Sequence, residues 1–198
     1  MRASVVVGVL ATIFVSTASG LANGPSSGLT RIGLSPMSST ALQLVAKEVG
    51  GDATLISPSY NFAIGCWGLG GLQVFGFQNY ILALPLIALA ALLTVQSGRV
   101  RFAFDKENLE VLAKKKGDEL GSSGENFAVG GANRWAYKTF TSWGFLPSSS
   151  LPLFMYFRES QTPDAPPEGQ FHLFPMIMSP KELGEKMQEV VGNDKQTS

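Results

Sequence analysis

The sequence predicts a membrane-anchored protein in two parts: an α-helical hairpin of two transmembrane helices, then a small α+β domain. Three observations carry that expectation. Residues 60–95 contain no charged side chain. Directly behind them, apolar residues recur at every second position, the period of a strand with one buried face. Near the C-terminus, Ser179-Pro180 opens a stretch with an apolar residue on every turn of a helix.

The uncharged run comes first. A hydrocarbon core about 30 Å thick takes roughly 20 residues of helix to cross. Residues 60–95 are too many for one span and suit two short ones. Gly76, Phe77, Gln78 and Asn79 supply the break, so a hairpin is expected over 57–97 with both ends on one side. The first arm carries Gly65, Gly68, Gly70, Gly71 and Gly76, each costing about 1 kcal/mol in a soluble helix. In lipid, small residues let helices approach closely, and Gly65, Gly68 and Gly71 are expected to share one face. They either pack the two arms together or form a docking groove for a larger membrane partner or a pigment. The second arm is rich in Leu, Ala and Ile, with Pro85 near its start.

Beyond the hairpin, Val100, Phe102 and Phe104 alternate with Arg101 and Ala103 before Asp105-Lys106-Glu107-Asn108 turns the chain. That pattern predicts a β-hairpin starting at the membrane surface. Residues 114–124 read as a polar loop. A strand group over 134–145 places Trp135, Tyr137, Thr139, Thr141 and Trp143 on one face. A further strand is expected at 153–158, a proline-rich loop at 163–169, and a last strand at 171–178 that Pro175 consigns to an edge. Ser179 as cap, Pro180 at the first helical position and Glu182 completing a capping box open the closing helix. Leu183, Met187, Val190 and Val191 form its apolar stripe, and Gly192-Asn193 stop it. Residues 193–198 read as a disordered tail. About five antiparallel strands covered by one helix, spanning 98–192, resemble a split barrel of the pleckstrin-homology kind.

Charge and rare residues narrow the function. The formal net charge is zero, which gives no electrostatic case for nucleic acid. A single cysteine, Cys66, inside the first arm rules out a disulfide framework, and a single histidine, His172, rules out a multi-histidine metal site. No nucleophile–base pair is visible. Ser148, Ser149 and Ser150 lack motif context, and Asp118-Glu119 sit in a glycine-flanked loop. A non-enzymatic protein is expected. Arg99, Arg101, Lys106 and Lys114 to Lys116 come after the second arm, whereas the turn at Gln78-Asn79 carries no charge. The positive-inside rule therefore keeps the sheet domain on the untranslocated side. Arg99 and Arg101 are candidates for the membrane surface. Trp135 and Trp143 serve either as sheet core or as an aromatic belt resting on the bilayer. His172 reads as a hydrogen-bonded sheet residue or as a magnesium ligand.

The N-terminus reads as an address. Arg2, an apolar run at 5–15 and small residues at 16–20 have the order of a signal peptide, 1–20. Residues 21–50 form a transit-like segment, rich in Ser, Thr, Gly and Ala, with no acid before Glu48. The tandem resembles the two-part presequence of plastid proteins in algae with secondary plastids; a secretory signal with a disordered spacer is the other reading. In such a membrane Gln73, the deepest of Asn61, Gln73, Gln78 and Asn79, is the candidate chlorophyll ligand. The alternative is a hydrogen bond within the hairpin. No cofactor is demanded by the residues, and chlorophyll or carotenoid is the class such a site would hold.

The order of short motifs carries a resemblance. Pro58-Ser59-Tyr60 precedes the hydrophobic hairpin, then come Arg99-Val-Arg-Phe-Ala-Phe104, Trp143-Gly144 with Pro147, Leu153-Phe-Met-Tyr-Phe-Arg-Glu159, His172-Leu-Phe-Pro175 and Ser179-Pro-Lys-Glu-Leu183. From 58 to about 191 the chain resembles a membrane-protein family of cyanobacteria and plastids known as domain of unknown function 3119, with a longer loop at 114–130. The resemblance implies the plastid thylakoid membrane, in which the hairpin and the positive-inside rule predict a multi-pass protein with both termini in the stroma. It also implies a link to photosystem biogenesis or structure, and it transfers no catalytic residue. The expected function is an accessory or peripheral subunit of photosystem I. A transient assembly or maturation factor, or a lipid-binding membrane module, is the alternative. Photosystem core or antenna subunits and membrane lipid are the expected partners.

Overall fold

The computed structural model describes residues 53–115, 119–124 and 131–197. The signal and transit-like segments, 1–20 and 21–50, lie outside them, as do Lys116 and Asp118. Two helices lead: α1, Asn61–Phe75, and α2, Tyr80–Arg99, preceded by the short strand β1, Thr54–Leu55. Asn79 caps α2, its side-chain oxygen accepting the Leu82 N–H at 3.2 Å, and Gln78 takes a positive φ of 51° in the turn.

The expected architecture does not hold as a whole. Among the described residues only α2 is long and apolar enough to cross a membrane. With 15 residues, α1 reaches about 22 Å, short of the hydrocarbon thickness of about 30 Å. Instead of one split barrel of about five strands, the described residues form two sheets of nine short strands in all.

The first sheet contains β1, β2 (Val100–Phe104), β3 (Asn108–Lys114) and β4 (Leu120–Ser122) in that order, with β5 (Arg134–Ala136) also paired to β3. The segment read as a polar loop therefore contributes β4. The second sheet runs β8 (Gln170–Pro175), β7 (Leu151–Glu159), β6 (Phe140–Ser148), β9 (Gln196–Thr197). Pro175 does end an edge strand. The tail, expected to be disordered, instead supplies β9, parallel to β6. The strand group expected over 134–145 divides between the two sheets, at a 3₁₀ turn over Tyr137–Thr139.

Aromatic side chains join the sheets. Phe102 of the first sheet meets Phe174 of the second edge-to-face at 5.2 Å, and Trp135 meets Phe157 at 5.0 Å. Helix α3, Pro180–Val190, closes the core with Leu183 and Met187, both fully buried. Ser179 Oγ accepts the Glu182 N–H at 3.4 Å, as a cap should. Glu182 does not complete the capping box. Its carboxylate accepts the Ser57 N–H at 3.0 Å instead, which ties the segment leading into α1 to the closing helix.

The body has two ends. Helix α2 passes into β2 without a loop, so Val100 marks the helix end and Asp105 the remote end. Ala113 pairs with Val100, which brings Lys114 and Lys115 to the helix end. At the remote end Arg134 binds Asp105 at 2.5 Å, and Gln161 donates to the Arg134 carbonyl at 2.9 Å. The Glu159 end of β7 is therefore remote. The turn between β6 and β7 consequently lies at the helix end, where Phe62 of α1 packs edge-to-face on Phe154 of β7 at 5.6 Å.

Candidate functional site

The candidate site is the helical pair. Its inner seam is built from small residues: Ala63, Cys66 and Gly70 are buried on α1, and Ala83, Ala90 and Ser97 on α2. The α2 set recurs every seven residues, which keeps one face toward its neighbour. Trp67 Nε1 donates to Thr94 Oγ1 at 3.1 Å, and Thr94 Oγ1 donates to the Ala90 carbonyl at 2.7 Å. At the base, Ser97 Oγ donates to the Ser59 carbonyl at 2.8 Å, holding both helix ends against the body.

The glycines do not divide as the spacing suggested. A Cβ on Gly65, Gly68 or Gly71 would meet nothing within 4 Å, so these three do not pack the helices together. Gly70 does: a Cβ there would lie 2.9 Å from Ile87 Cγ1. Counting Ala and Cys with Gly as small residues would have exposed the true seam at 63, 66 and 70. Gly70→Ala should accordingly destabilise the pair by about 1–3 kcal/mol through forced displacement of Ile87. Gly68→Ala, with open space and better helix propensity, should not. Thermal melts of the two variants in detergent distinguish these outcomes.

The outer surface is apolar throughout. Eleven exposed large hydrophobic side chains lie between Ile64 and Val95, among them Phe75 at 89 % and Ile81 at 85 % exposure. Only Leu146 and Leu151 join them from the rest of the described residues. Gln73 lies half-buried in the last turn of α1, its carbonyl accepting the Asn79 N–H at 2.8 Å.

The surface candidates separate. Arg99 is half-buried at the end of α2. Arg101 is buried, and its Nη1 donates to the carbonyls of Ser97 and Val100 at 2.8 and 2.6 Å. It satisfies the C-terminal carbonyls of α2, where a cation also suits the helix dipole. It is a clamp at the helix–sheet junction and does not face a bilayer. Trp135 and Trp143 are core residues, at 2 % and 0 % exposure, and form no aromatic belt. The inward face of each strand claims them, and Trp143 Nε1 donates to the Gly192 carbonyl at 3.1 Å.

One buried ionisable pair escaped the sequence reading. Glu159 is completely buried and accepts four hydrogen bonds: from His172 Nε2 at 2.9 Å, Thr162 Oγ1 at 2.6 Å, and the N–H groups of Thr162 and Gln161 at 2.9 and 2.5 Å. Burial pushes its carboxyl upward, but the bonds from His172, Thr162 and Gln161 together outweigh that and hold it at about 2. The signal was Glu159 itself, three residues before a threonine, at the end of a strand otherwise rich in apolar residues. His172 stacks on Phe157 at 4.9 Å and lies inside the sheet core.

A shallow depression of about 580 Å³ borders Glu110, Lys115, Glu119 and Arg134. Arg134 is already engaged there by Asp105 and Glu110.

Fold and site together define a two-sheet body that carries an apolar, outwardly unshielded helical pair at one end. The family model described as protein of unknown function (DUF3119) matches residues 54–192, and the chain belongs to that family. No curated protein and no solved structure matches it.

Proposed function

We propose that this chain is a non-enzymatic membrane protein of the plastid thylakoid that binds a photosynthetic complex, as an accessory or peripheral subunit of photosystem I. The observation that carries the reading is the outer surface of α1 and α2. A contiguous apolar patch of this kind on a soluble monomer is rare and marks a membrane or protein contact. Lipid suits it because residues 60–95 have no charge to desolvate. The pair enters lipid with its Phe75-to-Tyr80 turn leading, and of the two helices α2 alone is long and apolar enough to cross. The open glycine face of α1, at Gly65, Gly68 and Gly71, is the side against which a membrane-embedded subunit approaches most closely. Arg99, Lys114 and Lys115 gather at the helix end of the body, so the positive-inside rule leaves the body in the stroma. The thylakoid and photosystem parts of the reading rest on the motif order from Pro58 to Leu183.

Alkaline carbonate washing of plastid membranes should leave the protein in the pellet. After mild solubilisation it should co-purify with photosystem I in near-equal amount. Release by carbonate would sink the membrane reading. Retention in the membrane with absence from mature photosystem I particles would make it a transient assembly factor instead of a subunit.

A further inference from the structure

We propose that the tip of the β6–β7 hairpin, residues 146–151, is a second lipid-contact element that rests the sheet body on the bilayer beside the helical pair. This inference depends on the membrane reading above and adds a contact that the helices do not supply. Leu146 and Leu151 flank the turn at 39 % and 55 % exposure, the two large exposed hydrophobic side chains outside the helical region among the described residues. Between them lie Pro147 and Ser148, the last residues of β6, and the two-residue turn Ser149-Ser150.

Position is the second argument. Glu159 and Arg134 place the far end of β7 remote from the helices, and the contact of Phe62 with Phe154 places the near end beside the first turn of α1. The turn therefore lies at the same end as the base of α1 and α2. Charge is the third. Among the described residues, 139–157 form the second long run without a charged side chain beside 53–98, covering β6, its turn and β7 up to Phe157. Both uncharged runs converge on one end of the molecule, while charged residues of both signs, Asp105, Lys106, Glu107, Arg134 and Glu159, gather at the other.

A bilayer interface suits this composition. Leucines enter the boundary between headgroups and acyl chains, and serine hydroxyls remain among the headgroups as donors and acceptors. Arg99, Lys114 and Lys115 at the same end attract anionic headgroups. The occupant is the lipid surface itself.

The test uses the full chain in vesicles of phosphatidylcholine containing a minority of phosphatidylglycerol, on a Cys66→Ala background. An environment-sensitive fluorophore is placed in turn at Ser149→Cys, at Phe75→Cys in the helical turn, and at Glu168→Cys on the remote surface. Lipids carrying a quencher near the headgroup should quench the Ser149→Cys probe, and lipids quenched deep in the acyl chain should leave it bright. The Glu168→Cys probe should stay unquenched by either. Adding Leu146→Asp and Leu151→Asp should abolish quenching at position 149 and leave that at position 75 unchanged. A quenched Phe75→Cys probe beside an unquenched Ser149→Cys probe would overturn this inference and leave the membrane reading standing. No quenching at either position would overturn both, and equal quenching at position 168 would reduce the contact to nonspecific adsorption.

Discussion

Glu159→Ala should destabilise the sheet body by about 2–5 kcal/mol, because it removes a buried carboxylate with four hydrogen-bond donors, and a hydrogen bond to a charged group is worth about 1.5–3 kcal/mol. The carboxylate accepts from four donors, three of them contributed by Gln161 and Thr162 in the segment that leaves β7. Its loss leaves the buried His172 without this acceptor, at about 1–3 kcal/mol for a buried unpaired group, and releases the segment at Gln161 and Thr162, which lies nearer solvent. Glu159→Gln keeps the shape but replaces an acceptor with a donor facing His172 or Thr162, so it should recover only part of the loss. Urea unfolding in detergent, followed by tryptophan emission, measures both; Trp135 lies 4.9 Å from the His172 ring and reports on this site directly. A loss below about 1 kcal/mol, the worth of an ordinary hydrogen bond, would show that the cluster does not hold the fold together.

The same carboxyl gives stability a pH dependence of definite sign. Its folded value, about 2, lies below the unfolded value of 4.5. The folded state therefore favours the ionised form, and its stabilisation is complete above pH 4.5 and lost as pH falls through about 2. The wild-type melting temperature should fall across that acid window. Glu159→Gln should flatten that part of the profile, which separates loss of the titrating group from a general weakening of the core.

Phe157→Ala is the second large effect expected, at about 3–5 kcal/mol for a buried phenylalanine. The ring has no exposed surface and meets Trp135, Phe140 and His172 at 5.0, 4.8 and 4.9 Å. It therefore bridges both sheets and the hydrogen-bonded Glu159–His172 pair. Phe157→Leu keeps most of the volume and should cost less than half as much. Because Phe157 touches His172, combining it with Glu159→Ala should give less than the sum of the two losses. Full additivity would mean that the aromatic stack and the Glu159–His172 pair are energetically separate.

Local chemistry made some of this legible. The polar pair Gln78-Asn79 marks the helical turn, Asp105 to Asn108 marks the β2–β3 turn, Pro175 the sheet edge and Ser179 the cap of α3. Each is a short-range signal written within four residues. The rest depends on partners far away in sequence. Strands β1, β4 and β9 have two or three residues each, too few to show a period. Alternation put Trp135 and Trp143 on one face, but it cannot say that a 3₁₀ turn assigns them to different sheets. In the helical pair, glycine spacing singled out residues 65, 68 and 71, whereas the seam runs through 63, 66 and 70. Total absence of charge made the apolar surface plain, yet it hid that α1 is too short to match α2. Arg101 looked exposed because it comes just after a span, when its nearest acceptors are the last carbonyls of that same helix.

The junction at Arg99-Val100 has no slack. Helix becomes strand between adjacent residues, Arg101 grips the final turn, and Ser97 fastens it to Ser59. A stiff lever of this kind has no hinge, so tilting α2 in a thinner bilayer must swing the sheets as one block. Lipid thickness would then set the angle at which the charged far end meets whatever approaches from the aqueous side.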